Sequence, residues 1–251
     1  MNSVQTRMVF LAVLLLAVAA GNASRLPADV GSRPYAISVQ RNGVHVAGGA
    51  LISQRWALTA AHCVSLAGAS RSYPARSFLV RAGSIQRLAG GQLVALSQVV
   101  VHSGYSGSAE NDLALLQLAT PLLLNANTQP IALASALPAV GSQITFAGWG
   151  SSLPDGALSH RLQVATRQSI SAAACQESLY LSHEDLLCLV PESVAAGETS
   201  GLCTGDAGSP AIYNSQLVGI AAFFVAGCGT EQPDGYVDVT QHLDWIAETS
   251  V

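Results

Sequence analysis

The sequence contains no lysine and has few charged residues of any kind. All eleven of its basic residues are arginine, and charged residues make up 10% of the 251-residue chain, whereas apolar residues make up 50%. A chain of this length and composition can bury a large core, so we expect a globular protein. We attach no function to the missing lysine.

No apolar run is long enough to cross a membrane. The run from Met8 to Ala20 has 13 residues, whereas a membrane helix needs about 20. Arg7 precedes the run, and the small residues that follow allow cleavage after Ala19 or Ala23. We therefore predict a signal peptide over residues 1–23 and a secreted protein, with an uncleaved anchor as the alternative.

The cysteines do not form an even set. There are five of them, so at least one has no partner within the chain. Secretion permits disulfides, and the odd residue is either a thiol or a bridge to another molecule.

Charge is distributed unequally along the chain. Residues 25–109 contain eight arginines and one acid, a sum of +7, whereas residues 110–251 contain two arginines and fourteen acids, a sum of −12. With Arg7 the total is the net charge of −4.

Short alternating runs separated by glycine, serine, asparagine and proline are typical of an antiparallel β barrel or sandwich. Among these runs are "YAISVQRNG", "FLVRAG", "LVALSQVVVH", "QITFAGWG" and "LVGIAAFFV". Helical spacing is clear only at the end, where Val239, Leu243 and Ile246 fall at i, i+4 and i+7. The pattern predicts an all-β protein with a C-terminal helix.

Six segments in order carry a family resemblance. They are "ALTAAHCV", "ENDLALLQL", "FAGWGSS", "LCTGDAGSP", "LVGI" and "HLDWI". Together they resemble the chymotrypsin/trypsin-like (S1) serine peptidases. The resemblance implies a domain over residues 24–251, made of two packed six-stranded antiparallel barrels (about 34–138 and 139–238), a cleft between them, and a helix at about 240–249.

Catalysis in this family requires a hydroxyl nucleophile, an imidazole base and a carboxylate that orients the imidazole. The resemblance places His62 and Asp112 at the base and orienting positions, and Gly205 at an oxyanion position. Ala207, which has no hydroxyl, stands at the nucleophile position. We expect neither Thr204 nor Ser209 to replace it, because near-attack geometry tolerates an error of only about an ångström.

The activation device of the family is also altered. Active members begin with a sequence like Ile-Val-Gly-Gly, whose ammonium pairs with a buried carboxylate that Asp206 matches, and "SRLPADVGSRPYAISVQ" contains no such start. The segment from Leu26 to Pro34 is about four residues short of the family's arm. We therefore expect Asp206 to lack a partner and its loop to be solvated and zymogen-like, with the Gly205 amide poorly aimed.

The specificity pocket implied by the resemblance is changed as well. Ala222 replaces a serine that supports the orienting carboxylate, and Phe224 replaces a glycine, so its ring is expected to close part of the pocket. Gly201 takes the place of the aspartate at the floor of trypsin pockets. Asp234 either returns a negative charge to this pocket or is a turn residue before Gly235.

The cysteines follow the same resemblance. It implies disulfides Cys175–Cys188 and Cys203–Cys228, and it leaves Cys63 unpaired because Ala47 stands where the family has cysteine. Cys63 is then either an inert buried thiol or an intermolecular bridge.

Three functions remain open. The first is a non-catalytic homologue that binds a cascade protease or another extracellular protein, such as one of innate immunity. The second is a secreted endopeptidase recorded with a Ser→Ala change. The third is a polyanion-binding defence or seminal-type protein. Independently of these functions, we predict that the first barrel presents a basic face for an acidic partner or a sulfated glycan, made of Arg71, Arg76, Arg81 and Arg87; the alternative is that these arginines are scattered on solvated faces.

The remaining expectations are negative. "AGSIQRLAGGQL" lacks the acids that the calcium loop of the family needs, so we predict no calcium there. We also predict no other metal and no cofactor. We also expect no nucleic-acid or membrane partner, and a monomer.

Overall fold

The computed structural model describes residues 25–66, 70–181, 185–191, 201–228 and 230–251. The predicted signal peptide and both of its cleavage sites lie outside the described residues. Strands dominate the described chain and surround two separate cores.

The first barrel closes a ring of six strands in the order β2-β3-β4-β7-β6-β5, because β2 pairs with β5 as well as with β3. In β5, Phe78, Val80 and Ala82 are buried whereas Leu79 and Arg81 are half-buried, which is the period-two pattern of a strand against a core. The strands of this half, with the short β1 that precedes them, are β1 (Leu26–Pro27), β2 (Ala36–Arg41), β3 (Val44–Leu51), β4 (Trp56–Thr59), β5 (Phe78–Ala82), β6 (Gln92–Val101) and β7 (Ala114–Leu118).

The second barrel is built the same way. Its strands are β8 (Ala132–Leu133), β9 (Gln143–Gly148), β10 (Gln163–Ser169), β11 (Leu186–Val190), β12 (Pro210–Tyr213), β13 (Gln216–Phe223) and β14 (Asp234–Asp238). The path β10-β11-β14-β13-β12-β9 is closed by pairing between β9 and β10, while β1 adds to β10 and β8 runs parallel to β13 at the margin. The predicted fold of two six-stranded barrels is confirmed.

One apolar cluster joins the two barrels. Leu58 and Leu115 from the first barrel pack in it with Ile220 and Val237 from the second and with Ile246 from the C-terminal helix. Since both barrels bury side chains in this cluster, their facing loops are held at a fixed separation.

The C-terminal helix begins with a 3₁₀ turn, Val239–His242, before α2 (Leu243–Thr249). The Asp238 carboxylate accepts hydrogen bonds from the main-chain N–H of Thr240 at 2.9 Å and from its hydroxyl at 2.7 Å, which caps this turn. No helix in the described ranges is long and apolar enough to cross a membrane.

A second helix, α1 (Ala172–Leu179), was not predicted. The Ser171 hydroxyl accepts the N–H of Ala174 at 3.1 Å and so caps the helix, while Cys175 is its buried residue. A helix that buries a single residue has no apolar periodicity to detect.

Candidate functional site

His62 and Asp112 meet at the end of the first barrel that faces the second. His62 lies in the 3₁₀ turn Ala61–Cys63 just after β4, and Asp112 lies just before β7, which pairs antiparallel with β4. The imidazole Nδ1 lies 2.6 Å from Asp112 Oδ2, and the main-chain N–H of His62 donates to Oδ1 at 2.7 Å. Both carboxylate oxygens are therefore engaged by the same residue, which fixes the ring.

The charge state of His62 follows from these contacts. Burial by itself would lower the pKa of the imidazole, but the hydrogen bonds to Asp112 and Cys63 outweigh burial and raise the pKa to about 11. The ring is therefore an imidazolium at neutral pH.

Residue 207 offers no hydroxyl to this imidazolium. The Nε2 atom of His62 instead lies 3.2 Å from Cys63 Sγ. Thr204 is exposed, and the buried hydroxyl of Ser209 has no hydrogen-bond partner within the described chain, so neither hydroxyl engages the ring.

The cysteines are arranged as the resemblance implied. The structure joins Cys175 to Cys188 and Cys203 to Cys228, and Cys63 is a free thiol. Cys63 is half-buried rather than fully buried, and it packs against the core cluster that contains Ala47.

The loop before residue 207 differs from the expectation. Asp206 is fully buried, and its carboxylate accepts the N–H groups of Gly150 at 2.8 Å and Cys203 at 3.0 Å. It also forms an ion pair with the guanidinium of Arg25. The prediction of an unpaired Asp206 in a solvated loop is therefore wrong, because the side chain of Arg25 supplies a counter-charge.

The carbonyl group of Gly205 is held by a hydrogen bond. It has a φ of +91°, which glycine adopts without strain, and its carbonyl oxygen lies 3.0 Å from His45 Nε2. Burial lowers the pKa of His45 to about 4, so the neutral ring donates from Nε2 and accepts the Ser38 hydroxyl at Nδ1, 2.8 Å away.

The main-chain N–H groups of Gly205 and Ala207 have no acceptor among the described residues. Two unused amides beside a charged imidazole suit a carbonyl or carboxylate oxygen. Their availability is what the predicted oxyanion role of Gly205 requires.

A cavity of about 240 Å³ adjoins these groups, and among its lining residues are His62, Thr204, Gly205, Ala207, Phe223 and Phe224. Phe224 thus forms part of the cavity wall. Gly201 and Asp234, by contrast, do not line this cavity in the described part of the chain.

Asp234 fits neither of its two interpretations. It is the first residue of β14 rather than a turn residue, and its carboxylate lies 3.2 Å from the fully buried Arg167 and accepts the N–H of Leu202 at 2.8 Å. Burial raises the pKa of Asp234 to about 6, and Arg167 opposes that rise. The charge is compensated inside the barrel and does not face the cavity, while Gly201 provides the space for this close packing.

The four arginines of the predicted basic face fall into two pairs. Arg71 and Arg76 are exposed in the segment before β5. Arg81 and Arg87 are half-buried, and they donate to the carbonyls of Gly90 and Ser159 respectively. Arg71 and Arg76 are thus the two whose side chains extend into solvent.

Comparisons with known proteins agree with this architecture. The profile of the trypsin family matches residues 24–246. The chain is 36% identical to serine protease SP24D of Anopheles gambiae over 222 residues, which are 88% of this chain and 78% of that protein. It is 31% identical to a trypsin of Phaedon cochleariae over 230 residues, which are 88% of this chain and 85% of that protein.

Solved structures show the same fold. Human heparin binding protein superposes with a TM-score of 0.77 at 26% identity and covers 90% of this chain and 95% of its own. Mouse neuropsin, a serine protease, superposes with a TM-score of 0.79 at 24% identity, with 90% and 99% covered. With a matching profile, two barrels and a His62–Asp112 pair at their junction, this chain belongs to the trypsin family of S1 serine peptidases.

Proposed function

We propose that this protein is a secreted, non-catalytic member of the trypsin family that binds another extracellular protein, as a regulator or cofactor of a protease cascade such as one of innate immunity. The observation that carries this proposal is Ala207. A methyl group occupies the position of the nucleophile, while the surrounding groups stay packed.

The energetic argument concerns the missing nucleophile. A site of this type that lacks one triad member keeps only about 10³–10⁴ of rate enhancement over water, which is too little for useful peptide-bond hydrolysis. The site still combines an imidazolium, two unused amides and an apolar cavity wall. Such a site favours binding of a peptide segment over its cleavage.

Secretion is part of the proposal. Two disulfides are favoured in an oxidising compartment, and the N-terminal apolar run has the form of a signal peptide. Members of the trypsin family are typically secreted.

Turnover of a broad fluorogenic peptide library by the purified mature protein tests this proposal. We expect no rate above that of a His62→Ala control. We also expect no trypsin-like rate from Ala207→Ser, because Phe224 still occupies part of the cavity wall. His62-dependent turnover by the unmodified protein would refute the proposal.

One alternative is a secreted endopeptidase recorded with an inactivating Ser→Ala change. The intact His62–Asp112 contact favours it, as do the relatives, which are named as proteases. The genomic codon for residue 207 decides this alternative: a serine codon would restore the enzyme, and an alanine codon would exclude it.

The other alternative is a polyanion-binding defence or seminal-type protein. The exposed Arg71 and Arg76 favour it, together with the fold shared with a protein named for heparin binding. Neither observation identifies a binding site for a polyanion.

A further inference from the structure

Arg25 occupies a position that few arginines tolerate. Its side chain is 2% exposed, and its guanidinium donates to the carbonyls of Gly150 at 3.1 Å and Ser151 at 2.8 Å as well as pairing with Asp206. The guanidinium carbon also lies 5.1 Å from the centre of the Phe146 ring. A buried cation with this many oriented partners is held in one conformation.

We propose that Arg25 is the positioning residue of the loop 202–208, and that it holds this loop in place in a chain that has not been cut between Arg25 and Leu26. The inference goes beyond the proposed binding function, since it concerns how the loop is held and not what the site binds.

The arm that carries Arg25 is fixed on the second barrel. Leu26 and Pro27 pair with Val164 and Gln163 of β10, and the next N–H, of Ala28, donates to Leu162 at 2.8 Å. Because these ladder contacts set the direction of the main chain, the side chain of Arg25 and not its backbone enters the barrel. Although the arm is short relative to the family, it is therefore long enough for the side chain of Arg25 to reach Asp206.

Arg25 connects the N-terminal arm to the segment after β9 and to the loop 202–208. Gly150 and Ser151 follow β9, and the N–H of Ser151 donates to the Thr204 carbonyl at 2.9 Å. Asp206 in turn holds the N–H groups of Gly150 and Cys203. The guanidinium thus lies where the segment after β9 and the loop 202–208 meet, and removing it leaves the Asp206 carboxylate buried without a cation.

The ionisable surroundings of Asp206 predict what happens without Arg25. The groups that act on it are Arg25 and, farther away, the Asp234–Arg167 pair and the buried hydroxyl of Tyr236. His45 reaches the loop through the neighbouring Gly205 carbonyl. Burial raises the pKa of the Asp206 carboxyl, and Arg25 with the two amide donors opposes that rise.

Without Arg25 the carboxyl can stay buried only as the neutral acid. The loop should therefore be intact below the ordinary pKa of aspartate, about 4, and should open as the pH rises through the raised value. With Arg25 present, the loop should be closed across the neutral range.

Hydrogen exchange of peptides covering 202–208 tests the proposal, on protein whose mass shows an intact bond between Arg25 and Leu26. After correction for intrinsic rates, we expect Arg25→Gln to exchange at least tenfold faster than the unmodified protein at pH 7.5 and to approach it at pH 4.5. Arg25→Lys should retain most of the protection at both values. Arg55→Gln, an exposed arginine on the turn before β4, is the matched control and should not differ from the unmodified protein.

Two results would overturn the proposal. One is protection in Arg25→Gln equal to that of the unmodified protein at pH 7.5, and the other is a loss of equal size at both pH values. Should Arg25→Gln fail to fold, Arg25→Lys decides: retained protection at pH 7.5 supports the proposal, and a pH-dependent loss like that predicted for glutamine contradicts it. None of these results depends on whether a partner binds.

Discussion

The two barrels contribute different groups to the site. The first barrel supplies a histidine and an aspartate in close contact, at 2.6 Å. The second supplies a loop that has alanine at residue 207 and a cavity wall that includes Phe224. Yet that loop is anchored by a fully buried ion pair. The comparison shows that a loop with alanine at residue 207 can still be held by a buried ion pair.

The largest expected effect comes from breaking the anchor in the second barrel. Arg25→Gln and Asp206→Asn should each lower the free energy of unfolding by about 3–5 kcal/mol, because each leaves a buried charge without its partner. The double variant should cost less than the two single costs together, by about 1–3 kcal/mol. Urea denaturation of all four proteins measures this coupling.

Additive costs would contradict this account of the second barrel, because they would mean that the two side chains act independently. Arg55→Gln should change the free energy of unfolding by no more than about 0.5 kcal/mol.

The sequence was sufficient to predict those residues of the site that lie in short motifs. His62 and Asp112 lie in recognisable runs, and their contact follows from the pairing of β4 with β7. The fold was predictable for the same reason, since alternation marks strands against a core.

The partner of Asp206 could not be found in this way. Arg25 is 181 positions away, and the family resemblance indicates an N-terminal ammonium, not a side chain, as the partner of Asp206. The one available signal was an arginine directly before the shortened arm.

Asp234 was misjudged for a different reason. Local turn chemistry in "QPDGY" competed with the pairing of β14 to both β11 and β13, and the tertiary pairing prevailed. Its partner Arg167 carries no motif, so burial of this ion pair was visible only in the structure.

The second prediction concerns the contact between His62 and Asp112 in the first barrel. Asp112→Asn should bring the pKa of His62 down from about 11 towards its ordinary 6.5, because the largest contribution that raises it is lost. NMR titration of the imidazole measures this shift. In the unmodified protein the stability contributed by the pair should be present in full below about 6.5 and lost as the pH rises through about 11.

A His62 that titrates near 6.5 with Asp112 present would show that the contact is not maintained in solution. Asp155→Asn, at an exposed residue in the segment between β9 and β10, is a suitable control and should leave the titration of His62 unchanged.

The third prediction concerns the thiol beside that imidazole. Intact mass after alkylation under non-reducing, denaturing conditions should show one label per chain, at Cys63. A monomer without any label would refute the assigned pairing of the other four cysteines.

The smallest expected effect lies on the surface of the first barrel. Arg71→Ala and Arg76→Ala should each shift elution from heparin to slightly lower salt, because each removes one exposed charge. Arg161→Ala, from the acidic half of the chain, is the control. Elution that does not respond to either substitution would leave the two arginines without this role.

We infer that the loop of the second barrel is in place and that only a hydroxyl at residue 207 is missing from it. This inference is tested most directly by a small fluorophosphonate on Ala207→Ser with the bond between Arg25 and Leu26 intact. The labelling is run at about pH 10, where part of His62 is neutral because its pKa is raised to about 11; the serine oxygen bonds to phosphorus, fluoride leaves, and the hydroxyl proton passes to the neutral imidazole. The account predicts stoichiometric labelling of Ala207→Ser at residue 207, at least tenfold slower labelling when Arg25→Gln is added, and none at that residue in the unmodified protein. Failure of Ala207→Ser to react, or equal rates with and without Arg25, would contradict it.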